Sequence, residues 1–333
     1  MNILLGSHHF HPSTGGIETV SDLLAREFVQ RGHDVRVITQ TAAEDNIERP
    51  FRVVRQPGAR ELRRLVQWCD VFLQNNISLQ TLWPLLLCPR RLVIAHQTWI
   101  TDPDGKIGWR HQLKRFALRF ATSVAISDAV AARLPGRSVV IGNPYNDQVF
   151  RQSVTTKRAK DLIFVGRLVS DKGADLLLDA IAALEMKPRL TIAGDGPERA
   201  RLVEQVSRVR LEGYVDFVGM QSGEALAKLL NQHKILVVPS RWAEPFGIVA
   251  LEGIACGCVV VGSAEGGLSQ AIGPCGVTFP NGNRDALAAV LQRLLADSAE
   301  RARLIANAGA HLARFTRSRV ADEYLAILQH PPR

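Results

Sequence analysis

The order of the apolar segments is the feature that most constrains how this chain can fold. Short runs rich in β-branched residues alternate with longer segments of helical periodicity. This alternation predicts parallel sheets whose strands are joined by helical crossovers. The first crossover, 17–30, places Val20, Leu24 and Phe28 on one helical face. We therefore expect an α/β fold.

The strand candidates fall into two series of six, separated by a polar, turn-rich stretch at 142–160 that we interpret as a linker. The first series is Asn2–Leu5, Val35–Thr39, Val71–Gln74, Leu92–Ala95, Ser123–Ile126 and Ser138–Ile141. The second series is Leu162–Val165, Leu190–Ala193, Val215–Phe217, Ile235–Val238, Val259–Gly262 and Gly276–Thr278.

A length of 333 residues also favours two domains. We expect two Rossmann-like parallel-sheet domains that face each other across a cleft. The predicted N-terminal domain is 1–143 and the predicted C-terminal domain is 144–316. The last segment, 317–333, is predicted to form a helix that packs back on the N-terminal domain.

Composition and charge narrow the function classes. The chain is 46% apolar and 22% charged, as in ordinary globular proteins. The net charge of +9 suits three partners: nucleic acid, an anionic membrane surface or a phosphorylated small molecule. Five cysteines form no zinc or disulfide pattern, and neither a secretory signal nor a membrane span is evident. We therefore expect a cytoplasmic protein with reduced thiols.

Ligands of open α/β sheets bind where strands end and helices begin, so these loops are the first candidates for a site. The loop after the first predicted strand carries Gly15 and Gly16, whose N–H groups can approach an anionic ligand. This loop is neither G-x-G-x-x-G nor a P-loop, which disfavours a dinucleotide dehydrogenase and a P-loop NTPase. It also holds His8, His9 and His11, but no carboxylate or cysteine joins them at ligand spacing, so we expect no metal site.

The loop after the first strand of the second series contains Arg167 and Lys172 beside a predicted helix start. A fork-shaped guanidinium and a compact ammonium together suit a diphosphate.

The segment 239–252 follows a hydrophobic strand and carries two glutamates, Glu244 and Glu252. Pro245 is suited to the first turn of a helix. If the interval is mostly helical, the glutamates lie ~12 Å apart along its axis. A retaining glycosidase needs its carboxyl groups ~5 Å apart. The two glutamates therefore better fit an elongated ligand that is held at both ends.

Taken together, these segments resemble the retaining, nucleotide-sugar-dependent glycosyltransferases of family 4, which have the GT-B fold. The resemblance is carried by Gly15-Gly16-Ile17-Glu18, Val165-Gly166-Arg167, Lys172-Gly173, Ala193-Gly194-Asp195-Gly196-Pro197, Phe217-Val218-Gly219, Glu244-Pro245-Phe246-Gly247 through Glu252, and Ala255-Cys256-Gly257. Their order and spacing extend over nearly the whole chain.

The resemblance implies roles for the matching positions. Arg167 and Lys172 would hold the donor diphosphate, and Glu244 would bind hydroxyls of the donor sugar. Glu252 would bind the ribose, and His96 would face the donor sugar. The other positions implied at the donor are Gly15, Gly16, Gly166, Gly219, Phe246, Gly247 and Ile248, and the candidates on the acceptor side are His9, His11 and Trp99.

By the same resemblance, a hexosyl group would move from a UDP- or GDP-sugar to a hydroxyl of a glycan, a glycolipid or a small molecule, with retention of the anomeric configuration. No cofactor and no obligatory metal are expected. The literal D-x-D at Asp102-Pro103-Asp104 follows a polar loop instead of ending a hydrophobic strand, so we interpret it as a turn. A nucleotide-sugar epimerase of the same fold is an alternative. A nucleic-acid-binding or scaffold protein is disfavoured, because no nucleic-acid-binding motif accompanies the charge.

The segment 106–120 has Trp109, Leu113, Phe116 and Phe120 on one helical face, with basic residues largely elsewhere. We interpret it as a helix that packs this stripe on the first sheet. A helix that lies on an anionic membrane is the alternative, with the arginine-rich segment 58–69 as a second candidate. A peripheral position on the cytoplasmic membrane face thus stays open.

Overall fold

The computed structural model describes residues 1–13, 15–43, 47–100 and 108–330, without the side chain of Arg110. Its contacts divide the chain into two compact units. The first comprises Met1–Pro144 together with the segment that begins at Arg317, and the second is Tyr145–Thr316. The sequence placed the first boundary one residue earlier, after Asn143.

Within its described residues, the first unit contains one parallel sheet of seven strands in the order β3-β2-β1-β4-β5-β6-β7. The strands are β1 (Asn2–Ser7), β2 (Asp34–Thr39), β3 (Arg52–Arg55), β4 (Val71–Asn75), β5 (Arg91–His96), β6 (Thr122–Ala125) and β7 (Val139–Val140). The helices are α1 (Gly16–Gln30), α2 (Ala59–Trp68), α3 (Leu79–Leu82), α4 (Trp109–Ala117) and α5 (Asp128–Ala131), with 3₁₀ turns at Trp83–Leu86 and Leu118–Phe120.

The sequence prediction missed β3 and gave this sheet only six strands. The segment reads Arg-Val-Val-Arg and pairs with β2 at the edge of the sheet. Arginines at both ends hide a short edge strand from any search for apolar runs.

The second unit contains a parallel sheet of six strands among its residues, in the order β10-β9-β8-β11-β12-β13. The strands are β8 (Lys160–Val165), β9 (Leu190–Ala193), β10 (Val215–Gly219), β11 (His233–Val238), β12 (Val259–Ser263) and β13 (Gly276–Phe279). The helices are α6 (Ala174–Ala183), α7 (Arg199–Arg208), α8 (Gly223–Gln232), α9 (Ile248–Ala255), α10 (Leu268–Ile272), α11 (Arg284–Ala296), α12 (Ser298–Ile305) and α13 (Ala308–Leu312), with 3₁₀ turns at Ser170–Lys172, Gly273–Cys275 and Ala313–Phe315.

The last helix, α14 (Arg317–Gln329), belongs to the first unit and lies against α1. Arg31, just after α1, donates to Asp322 Oδ1 at 2.7 Å and to Ser318 Oγ at 2.8 Å. Arg91 at the start of β5 donates to the carbonyl oxygen of Leu328 at 2.6 Å. The Tyr324 ring of α14 is fully buried. Polar contacts and apolar burial therefore both hold the end of the chain on the first unit.

One face of the first sheet is covered by α2, α3 and the turn after α4. Register partners in neighbouring parallel strands point to the same side, and Leu4, Phe72 and Leu92 are such partners. They pack in one apolar cluster with residues of the covering elements, namely Leu62, Leu65, Leu82 and Leu118.

Helix α4 does not pack its apolar stripe on the sheet, so the interpretation that we preferred from the sequence is wrong. Trp109, Leu113, Phe116 and Phe120 are 47–73% exposed. Ala117 and Leu118 contact the apolar cluster instead. The helical period identified the stripe correctly but gave no information on which side of the helix the sheet would cover.

Candidate functional site

The strand order of the second sheet reverses between β8 and β11, which are neighbours. In open parallel sheets, ligands bind outside the carboxyl ends of the strands at such a reversal. The loop after β8 carries Arg167 and Lys172, and the loop after β11 carries Glu244. The topology therefore brings two segments together that are far apart in sequence.

Lys172 and Glu244 form a direct ion pair at this point. Lys172 Nζ donates to Glu244 Oε1 at 2.6 Å, and Ser240 Oγ donates to the same oxygen at 2.6 Å. Ser240 is fully buried, Glu244 is buried and Lys172 is partly exposed. Both bonds go to Oε1, which leaves Glu244 Oε2 without a donor among the described residues. This second carboxylate oxygen can accept a hydrogen bond from a hydroxyl of a ligand.

Backbone contacts fix the two loops against each other. Arg241 N donates to the carbonyl oxygen of Asp171 at 2.8 Å. Gly173 has a φ of +71°, and a Cβ at this position would lie 2.0 Å from the carbonyl oxygen of Pro239. A glycine is required here both for the left-handed backbone and for the close approach of the neighbouring loop. Lys172 is thereby held next to Glu244.

Trp242 adds an aromatic wall to the pair. Lys172 Nζ lies 5.8 Å from the centroid of its ring, within the range of a cation–π contact. The indole Nε1 is buried without an acceptor among the described residues. Neither Ser240 nor Trp242 was among the predicted site residues, although both lie in the segment 239–252 that carries the two glutamates.

The loop continues into α9, which begins at Ile248 and not at Pro245 as the sequence suggested. Gly247 precedes the helix with a φ of +98°, a conformation that a proline-initiated first turn does not include. The Phe246 ring is buried and lies 5.6 Å from the Phe315 ring, centroid to centroid. This anchor fixes the helix start, where the first backbone N–H groups have no partner within the helix.

Glu252 lies on α9, about one turn after the helix begins at Ile248. Its side chain is partly buried, and loss of solvation raises the pKa of its carboxyl to about 7. No ion pair or side-chain hydrogen bond to a described residue compensates this burial. A carboxylate that is poorly solvated and unpartnered is prepared to accept hydrogen bonds from a ligand.

The remaining predicted residues of the second unit line the same edge of its sheet. Arg167 is exposed two residues after β8 and forms no ion pair with a described residue. Gly166 directly follows β8, and Gly219 ends β10. The carbonyl oxygen of Gly219 accepts a hydrogen bond from Gly194 N at 2.8 Å.

In the first unit, His96 ends β5 and is fully buried. Its Nε2 lies 3.2 Å from Ser123 Oγ, and its Nδ1 has no partner among the described residues. Burial lowers the pKa of the imidazole to about 4, so the ring is neutral at physiological pH. A neutral ring with one unpartnered nitrogen can exchange a single hydrogen bond with a ligand.

The glycine and histidine candidates of the first unit lie around the start of α1. Gly15 and Gly16 are exposed at its N-terminus. His9 is exposed, with its ring centroid 4.7 Å from that of His8, and His11 is partly buried.

Trp99 follows β5 and is partly buried, with the guanidinium carbon of Arg133 4.1 Å from the centroid of its ring. The predicted turn at Asp102 and Asp104 lies outside the described residues. Within the part of the chain that the structure describes, no three His, Cys, Asp or Glu side chains are grouped to hold a metal ion.

Comparison with known proteins identifies the family of the second unit. The model of the family described as glycosyl transferases group 1 matches residues 146–311, which is half of the chain and nearly the whole unit. The chain belongs to the group 1 glycosyl transferases.

Curated relatives of this group 1 glycosyl transferase include a D-inositol 3-phosphate glycosyltransferase of Stackebrandtia nassauensis. It is 36% identical over 176 residues, which cover 49% of this chain and 40% of the relative. The alpha-D-kanosaminyltransferase of Streptomyces kanamyceticus is 28% identical over 249 residues, 68% of this chain and 64% of the relative. The chain thus aligns with less than two thirds of either relative.

The solved structure of Anabaena HepE in complex with UDP-glucose is similar over 99% of both chains, with a TM-score of 0.83 and 20% sequence identity. At this identity the likeness concerns the fold, and the predicted GT-B class with two Rossmann-like parallel-sheet units is confirmed. Among the described residues, no helix of this group 1 glycosyl transferase is long and apolar enough to cross a bilayer.

Proposed function

We propose that this chain is a retaining glycosyltransferase that moves a hexosyl group from a UDP- or GDP-sugar to a hydroxyl of a glycan, a glycolipid or a small molecule. The observation that carries the proposal is the cluster of Lys172, Glu244 and Ser240 at the strand-order reversal of the second sheet. It combines a cation for a phosphate with a carboxylate for a hydroxyl, as a nucleotide sugar requires.

The donor would bind along the carboxyl edge of this sheet. Lys172 and the exposed Arg167 would contact the diphosphate, because an ammonium that donates one N–H to Glu244 keeps two for phosphate oxygens, and the Arg167 guanidinium forms no ion pair with a described residue. Glu244 Oε2 would accept a sugar hydroxyl, while Ser240 and Lys172 hold Oε1. Since these two bonds already fix the carboxylate, Glu244 would lose little side-chain entropy when the sugar binds.

The other end of the donor would lie at α9. Glu252 would accept the ribose hydroxyls, and this contact would compensate the lost solvation of its carboxylate. The backbone N–H groups of Phe246, Gly247 and Ile248 at the helix start would add polar contacts.

Catalysis would rest on positioning and on charge. As the bond between the sugar and the diphosphate breaks, negative charge grows on the leaving phosphate, and Lys172 and Arg167 would stabilise it. The departing phosphate oxygen would take the proton of the acceptor hydroxyl on the same face of the sugar, which gives retention. No residue of the chain has to form a covalent bond to the sugar, and no metal is required.

The first unit would supply the acceptor side. Gly15 and Gly16 at the start of α1 would offer backbone N–H groups to an anionic oxygen, and the neutral His96 would share a hydrogen bond with a sugar hydroxyl. His9, His11 and Trp99 are the proposed acceptor contacts, since an aromatic ring and polar imidazoles suit a hydroxyl-rich molecule.

The comparisons support transfer over epimerisation. The matched family and the relatives named above are glycosyltransferases, and HepE is described in complex with UDP-glucose. No observation favours the sugar epimerase or the nucleic-acid-binding protein that the sequence left as alternatives.

The proposal is tested by a thermal-shift screen of UDP, GDP and their sugars, because a ligand that binds only the folded state raises its melting temperature. With the donor found, the anomeric configuration of the product is read by NMR. Free epimer without transfer, or an inverted product, would contradict the proposal. Activity in EDTA tests the metal-free mechanism, and complete loss that Mg²⁺ or Mn²⁺ restores would overturn that part.

A further inference from the structure

Helix α4 presents an apolar face to solvent in the first unit. Trp109 is 69% exposed, Leu113 47%, Phe116 54% and Phe120 73%. The rings of Phe116 and Phe120 lie edge to face with centroids 5.7 Å apart, so they form a continuous apolar surface. A group of large exposed side chains of this kind marks a surface that binds a partner.

The same region is strongly basic. Residues 105–127 contain five lysines or arginines and no aspartate or glutamate. Among them, Arg115 and Arg119 have no carboxylate partner in the described part of the chain. The positive charge of this region is therefore available to an external anion.

A groove beside α4 concentrates this charge. It has a volume of about 630 Å³ and is lined by Arg115, Arg119 and Arg137 together with Phe116 and Ser123. No acidic residue is among the described residues that line it. A groove with three arginines and an aromatic edge suits a phosphate that is attached to an apolar molecule.

A second exposed apolar segment lies on the same side of the first sheet. Leu86 is 86% exposed and Leu87 62%, in and just after the 3₁₀ turn that follows α3. Both α3 and the turn after α4 pack on the apolar cluster that covers one sheet face, as does α2. Helix α2 carries the exposed Arg60, Arg63 and Arg64. Arginines and apolar side chains that are distant in sequence thus share one layer of the fold.

We propose that this layer, centred on α4, docks on an anionic lipid bilayer. The aromatic and leucine side chains would enter the boundary between headgroups and acyl chains, and the arginines would contact lipid phosphates. A second copy of this chain is a poorer occupant, because two such basic surfaces repel each other. The inference is independent of the transfer chemistry proposed for the second unit.

The experiment is co-sedimentation of the full chain with vesicles of phosphatidylcholine alone or mixed with an equal amount of phosphatidylglycerol. We expect binding to the mixed vesicles at low salt and much weaker binding at about 1 M salt, where charges are screened within about 3 Å. The double variants Phe116→Ser/Phe120→Ser and Arg115→Ser/Arg119→Ser should each lower the partition coefficient at least about tenfold.

Two matched controls change similar side chains in the second unit. Met186→Ser/Met220→Ser removes exposed apolar side chains, and Arg208→Ser/Arg303→Ser removes exposed arginines. Both controls should bind vesicles like the wild type, and circular dichroism should show that all four variants keep their fold. Absence of binding, equal binding to neutral vesicles or equal loss in the controls would overturn the proposal. So would a dimer that Phe116→Ser/Phe120→Ser abolishes without any vesicle binding, which would assign the face to a second copy.

Discussion

Lys172 Nζ lies 2.6 Å from Glu244 Oε1, although 72 residues separate the two side chains in sequence. They follow neighbouring strands, β8 and β11, at the strand-order reversal of the second sheet. The parallel topology, and not a local motif, is what joins the cation to the carboxylate.

Replacement of Lys172 by alanine should lower kcat about 100-fold or more, because it removes a cation from the leaving phosphate. The stability should change by only about 1 kcal/mol, since the ammonium is partly exposed and Ser240 still donates to Glu244. Steady-state kinetics and chemical denaturation measure the two effects.

Lys234→Ala is the matched control. Lys234 Nζ pairs with Asp161 Oδ1 at 2.8 Å with similar exposure, but at the amino ends of β11 and β8. This variant should keep its turnover within about a factor of two. Equal losses of turnover in both variants would show that the effect is structural.

Gly173→Ala should destabilise the second unit by about 3 kcal/mol or more. The left-handed backbone costs an L-residue about 1–2 kcal/mol, and the new Cβ collides with the carbonyl oxygen of Pro239. The denaturation midpoint measures the loss.

Gly213→Ala separates the backbone cost from the collision, because the φ of Gly213 is +80° and no atom of the described residues lies within 4 Å of a Cβ there. We expect this control to lose only the backbone cost of about 1–2 kcal/mol. If Gly173→Ala and Gly213→Ala lost the same stability, the collision with Pro239 would contribute nothing to the loss.

Glu252 should make the second unit less stable as the pH rises. Burial raises the pKa of its carboxyl from 4.5 to about 7, so the folded state holds the proton more tightly than the unfolded chain. The free energy of unfolding therefore decreases between pH 4.5 and 7, by up to about 3 kcal/mol.

The neutral variant Glu252→Gln should lack this decrease, which denaturation curves at several pH values detect. Nucleotide affinity of the wild type should increase as the pH rises through 7, because only the carboxylate accepts both ribose hydroxyls strongly. If the free energy of unfolding of the wild type and of Glu252→Gln changed with pH in parallel, the raised pKa of the Glu252 carboxyl would be contradicted.

His96 should have the opposite effect in the first unit. Burial lowers the pKa of its ring from 6.5 to about 4, so the unfolded state binds a proton more readily. Its stabilising contribution is fully present above pH 6.5 and is lost as the pH falls towards 4. In the variant His96→Asn, the free energy of unfolding should decrease less as the pH falls from 6.5 to 4.

Ser123→Ala is the control, because it removes the hydrogen-bond partner of the ring and keeps the titrating group. It should lower the stability at every pH by about 1 kcal/mol and leave the slope unchanged. If the stability of His96→Asn fell as steeply between pH 6.5 and 4 as that of Ser123→Ala, His96 would not be the group that causes the decrease.

Much of the fold follows from the sequence because buried parallel strands are apolar over their whole length. That signal identified twelve strands, and it failed for the edge strand β3, where only two valines lie between Arg52 and Arg55. Similarly, the sequence could predict that the loops of Lys172 and Glu244 lie close together, since the carboxyl ends of parallel strands meet at one edge of the sheet.

Other features depend on contacts that no periodicity encodes. Ser240 became recognisable only through its bond to Glu244, because a serine after a strand is common in any loop. The exposure of Phe116 and Phe120 was missed because a helical stripe does not reveal whether a sheet or solvent faces it.

The return of α14 to the first unit has a consequence for the order in which the protein can fold during synthesis. The ribosome completes residues 145–316 before it makes Asp322 and Tyr324, which contact Arg31 and the interior of the first unit. The second unit is one uninterrupted segment and can fold as soon as it emerges. The first unit, although it is made first, is completed last.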